Sequence, residues 1–269
     1  MNLVHDLTIG VVTEVDPIYN NSWIDWAQSG KPIVLVTRHI ETLYEKYPFV
    51  LSSQNIIVHV SLSGNGGTIF EPNIPTLQNN LIFFQTLSPQ QKKRIVIRIS
   101  PIIPINKFIN NSLEVYKQCR TLNFEIFVVQ IMKMFSICFD YMKNSKNFSE
   151  YINQFEQIYA PTNKVIINQN ETNVIYAEYE LRKLIFDLFP IAKKCSEPGF
   201  DDDFNIIQQI EMFGFNLQEY PLIEVQNKDW GDRVIVQSLC NKFQCPKACA
   251  FCFSSIEALY KKSLILNHE

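Results

Sequence analysis

The sequence predicts an α/β fold in which helices lie outside a mainly parallel sheet. Three observations predict it. Short β-branched apolar runs alternate with stretches of helical periodicity. The runs are apolar almost throughout, as strands covered on both faces are. Five such units within about 130 residues fit an open or closed barrel better than a small sandwich. With 269 residues, 46% of them hydrophobic, the chain has enough apolar material to bury a core. One domain spanning residues 1–269 is expected.

The elements follow in order. Leu7-Thr8-Ile9-Gly10-Val11-Val12-Thr13 is the first strand. Pro32-Ile33-Val34-Leu35-Val36-Thr37 is the second, leading into Ile40, Leu43, Tyr44 and Tyr47 at helical spacing. Ile56 to Leu62 is the third, closed by the turn Gly64-Asn65-Gly66-Gly67. A helix is expected from Thr76 to Thr86, and a strand from Arg94 to Ile99 that stops at Pro101. Residues 113–122 read as a helix and Glu125 to Ile131 as a strand. Residues 140–172, rich in Asn, Lys and Gln, read as a helical and loop excursion with a helix around 149–159. A helix is expected over 172–193. Glu197 to Asp203 reads as a solvated loop whose aspartates precede a helix at 204–213. Arg233-Val234-Ile235-Val236 is one more strand. It runs into a cysteine-rich loop, Cys240 to Cys252, and then a final helix. Ser254-Ser255-Ile256-Glu257 has the capping-box form, and Ile256, Leu259, Tyr260 and Leu264 share one face behind it.

Composition excludes several classes. With 24 Lys+Arg against 27 Asp+Glu the net charge is −3, which argues against a dedicated nucleic-acid binder. No apolar run reaches the roughly 18 residues that a membrane span needs. MNLVHDLTIG lacks a basic start and a long apolar stretch, so no signal peptide is expected, and a soluble cytoplasmic protein is. Seven cysteines without a secretion signal then read as ligands or free thiols. The sequence contains no Walker loop, no H-E-x-x-H and only four histidines, so histidine chemistry has little to work with.

The stretch Gln244-Cys245-Pro246-Lys247-Ala248-Cys249-Ala250-Phe251-Cys252-Phe253 has the spacing C-x3-C-x2-C. Thiolates are soft ligands suited to iron–sulfur clusters and to zinc. Three cysteines so close together can hold one face of a cubane cluster and leave one iron open to a small molecule. A structural zinc site wants four protein ligands, and Cys240 would supply the fourth. The same Cys240 would also complete a closed electron-transfer cluster. Spacing alone leaves an open cluster, a zinc site and a closed cluster all standing. A loop between a strand and a helix is where barrels of this class carry their chemistry.

C-x3-C-x-aromatic-C, with Phe251 in the aromatic slot, resembles the cluster motif of the radical S-adenosylmethionine superfamily. The resemblance continues through Ile33 to Arg38, Val58 to Ser63, Phe70-Glu71-Pro72 and Ile97 to Pro104. Those stretches are similar, in order, to the spore photoproduct lyase-like branch, and Thr13 to Tyr19 resembles that branch's second strand. The branch places its cysteines after the first strand, whereas here they come last. A circular permutation accounts for the difference, and termini close together at a surface make permutation cheap. An uncharacterised bacterial family with a C-terminal cysteine triplet shows the same layout, and Ser136 to Asp140 and Lys194 to Glu197 resemble it as well.

The resemblance implies a partial (β/α)6 TIM-like barrel, circularly permuted, that carries a [4Fe-4S] cluster on Cys245, Cys249 and Cys252. It implies S-adenosyl-L-methionine as second cofactor, a 5′-deoxyadenosyl radical as its product, and a reductant such as flavodoxin or ferredoxin. Carried over, Phe251 lies by the adenine and Arg38 meets the cofactor carboxylate, where the branch has lysine. Thr13 and Glu14 stand at the strand end that holds the methionine amino group, although the usual Gly-Gly-Glu is absent. Ser61 resembles the strand-end serine that contacts the cofactor, and Ser100 lines the adenosyl pocket. Glu71-Pro72 is expected to be a structural turn. Cys138, Cys195 and Cys240 remain as small buried hydrophobes or as thiols near the substrate. The substrate is left open, nucleic acid included, and no membrane partner is expected.

Overall fold

The computed structural model describes residues 2–13, 15–159, 174–195, 199–200, 212–225 and 234–239. Its core is a mixed α/β arrangement around one eight-stranded sheet. Strand β1 (Asn2–Val12) is followed by helix α1 (Ile24–Gln28), β2 (Ile33–Thr37), α2 (Ile40–Lys46) and β3 (Ile56–Ser61). Helices α3 (Leu77–Thr86) and α4 (Pro89–Lys92) precede β4 (Ile95–Ile102), and α5 (Asn106–Thr121) precedes β5 (Phe127–Ile131). The short strand β6 (Met134–Phe135), α6 (Ser136–Asn144) and α7 (Ser149–Ile158) follow. After them come β7 (Val174–Ile175), α8 (Tyr179–Asp187), β8 (Lys193–Lys194), β9 (Leu222–Val225) and β10 (Val234–Ser238).

The strand order β10-β1-β2-β3-β4-β5-β8 is sequential except at one edge, where the last strand sits beside the first. Every neighbour pair along this path is parallel, and β9 adds an antiparallel pairing to the start of β1. Among the described residues β8 and β10 do not pair, so the sheet is open rather than a closed barrel.

Side-chain alternation divides the sheet into two faces. Ile33, Leu35, Val58, Val60, Ile97 and Val129 pack in one cluster with residues of α1, α2, α3, α5 and α8. Val34, Ile57, Val96 and Val128 point the other way, against Phe213 and Val234. Helices therefore cover one face, and the chain around 212–220 lies on part of the opposite, inner face. A separate aromatic core forms where α6, α7 and the start of α5 meet Phe70. The Phe70 ring lies 4.9 Å from Phe108, 5.2 Å from Phe148 and 5.4 Å from Tyr151.

The strands expected from the sequence are present, with four differences of detail. β4 does not stop at Pro101 but continues to Ile102. Proline has no N–H to give the ladder, and the pairing with β5 shifts register between Ile99 and Ile102 before resuming at Ile102↔Ile131. α5 begins at Asn106, earlier than residue 113, because Phe108, Ile109 and Ser112 are buried with Val115, Tyr116 and Cys119 along one helix face. Asparagines at 106, 110 and 111 hide that stripe from a propensity reading. Within the 140–172 excursion α7 falls where a helix was expected, and α6 precedes it. Residues 172–193 are not one helix: β7 first pairs antiparallel with β6, and α8 follows. The Asp201–Asp203 loop, most of the 204–213 segment, the cysteine loop and the final helix with its capping box lie outside the described residues. So does the expected approach of that helix to the N-terminus. Among the described residues no helix is long and apolar enough to cross a membrane.

Candidate functional site

Parallel strands collect polar side chains at their C-terminal ends, and ligands of open α/β sheets bind there. In this chain the ends of β2, β3 and β4 bring three of the expected residues together. The Arg38 guanidinium forms an ion pair with the Glu71 carboxylate through Nη1, and Nη2 leans on the Ser100 carbonyl at 3.4 Å. Ser61 Oγ donates to the same Ser100 carbonyl at 3.0 Å. Ser63 Oγ donates to the other oxygen of Glu71 and accepts from Asn65 N–H at 2.9 Å. The group thus spans three strand ends and the glycine-rich turn after β3.

Glu71 is the centre of this arrangement. Its side chain is 0% exposed, against 19% for Arg38. A carboxylate taken wholly out of water is stable only when a cation and hydrogen-bond donors replace its hydration. Arg38 and Ser63 do so here. The expectation that Glu71-Pro72 is a structural turn holds as far as the backbone goes, since Gly67 N–H donates to the Glu71 carbonyl at 2.9 Å. The side chain does more. It supplies an internal carboxylate to the arginine that the resemblance assigns to a cofactor carboxylate. The turn is held tightly: a Cβ on Gly66 would lie 2.1 Å from the Pro75 carbonyl oxygen, so only glycine fits. Phe70, next to Glu71, is locked into the aromatic core of α6 and α7.

Asp16, past the end of β1, fixes the neighbouring strand end. Its carboxylate accepts from Thr37 Oγ1 at 2.9 Å and from the Arg38 backbone N–H at 2.8 Å. Thr13 follows β1 and is exposed. Phe251 and the cysteines Cys240, Cys245, Cys249 and Cys252 lie outside the described residues, as does Glu14.

The described chain ends, ahead of those cysteines, at a defined place. Leu239, directly after β10, donates its N–H to the Val11 carbonyl at 2.9 Å. Its own carbonyl accepts from Asn20 Nδ2 at 3.0 Å and from Ser22 Oγ. Gly10 makes room for it, since a Cβ there would lie 2.7 Å from Leu239 Cδ1 and 2.8 Å from Trp26 Nε1. Because β10 is parallel to β1, Leu239 lies at the same end of the sheet as Arg38, Ser61 and Ser100.

Below this end, the inner face carries a second polar row. His59 of β3, Arg98 of β4 and Gln130 of β5 share the face of Ile57, Val96 and Val128. His59 is fully buried and pushed down to about 3, first by burial and then by the Arg98 charge, so it is neutral at pH 7. The remaining described cysteines divide by depth. Cys119 and Cys138 are 0% exposed, and burial pushes the Cys119 thiol up to about 12. Cys195, after β8, is half-buried against the inner-face cluster.

Sequence reasoning gave Asp16 and Ser63 no role beyond lying in stretches of resemblance, missed Gln130, and gave Glu71 a backbone role only. An Asp-Pro at a strand end and a Ser within a glycine turn carry no chemistry of their own, and only their partners reveal them. Comparisons with protein-family models, with curated proteins and with solved structures find no match to this chain.

Proposed function

We propose that this chain is a radical S-adenosylmethionine enzyme, with Cys245, Cys249 and Cys252 holding a [4Fe-4S] cluster and S-adenosyl-L-methionine as its second cofactor. The observation that carries the reading is the position of β10. The last strand lies parallel beside the first and hands its loop over at Leu239, at the end of the sheet where Arg38, Ser61 and Ser100 converge. A strand followed by a cysteine loop and placed ahead of β1 in the sheet is what a circularly permuted partial (β/α)6 barrel requires. Held by the three cysteines, such a cluster would supply the one electron that breaks the sulfonium C5′–S bond of S-adenosylmethionine, releasing methionine and leaving a 5′-deoxyadenosyl radical able to take hydrogen from a substrate.

The residues of the chain supply the surroundings. Asp16 fixes the backbone at Arg38, and the buried pair of Arg38 and Glu71 holds the wall beside Ser100 rigid. Ser61 Oγ ties β3 to β4 at the same carbonyl. Arg38, 19% exposed, is the cation that the resemblance sets against the cofactor carboxylate. Phe251 is assigned to the adenine and Thr13 to the methionine end. A low-potential donor such as flavodoxin or ferredoxin is the partner this chemistry needs.

The test is anaerobic reconstitution with iron and sulfide. Brown protein with about four irons per chain, and 5′-deoxyadenosine formed from S-adenosylmethionine on reduction with dithionite, are expected. Cys245→Ala should lose the cluster, whereas Cys240→Ala should keep it. Loss of metal in Cys240→Ala would instead identify a non-catalytic zinc site or closed cluster with Cys240 as the fourth ligand, and the proposal would fall.

A further inference from the structure

Arg98 is a cation on the inner face of the sheet, and the described residues around it hold no carboxylate paired with it. It is half-buried, and Nη2 donates to the Gln130 side-chain oxygen at 2.8 Å. That oxygen also accepts from Ser100 Oγ at 3.1 Å, so Gln130 is held toward Arg98 from two sides. Gln130 is neutral. Among the described residues no carboxylate pairs with Arg98, and the buried carboxylate of Glu71 is engaged by Arg38 and Ser63. His59, on the adjacent strand, is neutral and fully buried, partly because Arg98 stands beside it. Chains seldom carry a guanidinium into a half-buried row of neutral groups without an anion to match it, because desolvation goes unrepaid.

The position adds to this. Arg98 pairs in register with Ser61, the last residue of β3, and with Val128 of β5, on the side of the sheet toward the strand ends where ligands of parallel sheets bind. The planar guanidinium has five donors, of which, among the described residues, Gln130 takes one, and the fork matches the two oxygens of a carboxylate or phosphate. We infer that Arg98, oriented by Gln130 and Ser100, anchors an oxyanion-binding site on the inner face of the sheet, taking the carboxylate or phosphate group of a small ligand. The inference needs neither the cysteine loop nor a cluster.

The test uses the full chain as purified, without iron, and titrates it separately with inorganic phosphate and with malonate at constant ionic strength, followed by calorimetry. Saturable binding of at least one of them below about 10 mM is expected. Tighter phosphate binding points to a phosphate ester as the ligand, and tighter malonate binding to a carboxylate; either supports the site. Arg98→Gln should weaken the tighter anion about tenfold or more. Lys93→Gln, at an exposed lysine outside the row, should leave it unchanged. Absence of saturable binding in the wild-type chain, or an unchanged Kd in Arg98→Gln, overturns the inference. Should Arg98→Gln fail to fold, Arg98→Lys decides: it keeps the charge but loses the fork, so weaker binding supports the site and an unchanged Kd overturns it.

Discussion

Replacing Arg38 by methionine tests the buried pair at the strand ends directly. Methionine keeps the length of the side chain and its apolar stem, so the change removes the guanidinium and little else. Glu71, 0% exposed, would then retain Ser63 as a donor and, among the described residues, no cation. Breaking a buried pair from one side typically costs about 3–5 kcal/mol, because the remaining charge is stranded. Glu71→Gln should cost less, about 1–2 kcal/mol, because the arginine left behind is 19% exposed and water can reach it. The double variant Arg38→Met/Glu71→Gln leaves no stranded charge. It should therefore cost less than the sum of the two single changes, with a coupling of about 2 kcal/mol. Urea unfolding of the four proteins at pH 7 measures all three quantities. Calorimetry should place Arg38→Met about 10 °C below the parent in Tm. A cost under about 1 kcal/mol for Arg38→Met, or strict additivity in the double variant, would refute the claim that the pair compensates a buried charge.

Two more predictions follow from the inner face and the thiols. His59 has a folded pKa of about 3, below its unfolded value of about 6.5, so the folded state resists its protonation. The chain should lose stability as pH falls below about 6.5, by about 1.4 kcal/mol per pH unit from this residue, while above that pH the contribution is constant. His59→Gln should flatten that acid limb in urea titrations run from pH 7 to about pH 4.5; an equally steep limb in the variant would count against the assignment. Thiol labelling of the native chain, read by peptide mass spectrometry, should reach half-buried Cys195 well before Cys119 and Cys138, and equal rates at all three would contradict the burial described.

The sequence by itself determined the central parallel strands. Ile33 to Thr37, Ile56 to Ser61 and Phe127 to Ile131 are runs of residues that fit only a pleated surface covered on both sides, and that pattern is local. It also singled out Arg38, Ser61 and Ser100, which the folded chain brings within hydrogen-bond reach of one carbonyl or one another. What it did not determine lies between residues far apart in the chain. Arg38 and Glu71 are 33 positions apart, and a lone acid before a proline carries no mark of the cation that it meets. The start of α5 and the β6–β7 pairing were hidden for a related reason: packing against Phe70 and pairing with a distant segment override weak local preference. The permutation that the resemblance implies puts the last strand ahead of the first, but only the tertiary structure shows β10 parallel beside β1 with Leu239 at the C-terminal end of the sheet. Apolar periodicity is written within a few residues, whereas charge compensation and strand order arise only once the sheet has brought distant segments together.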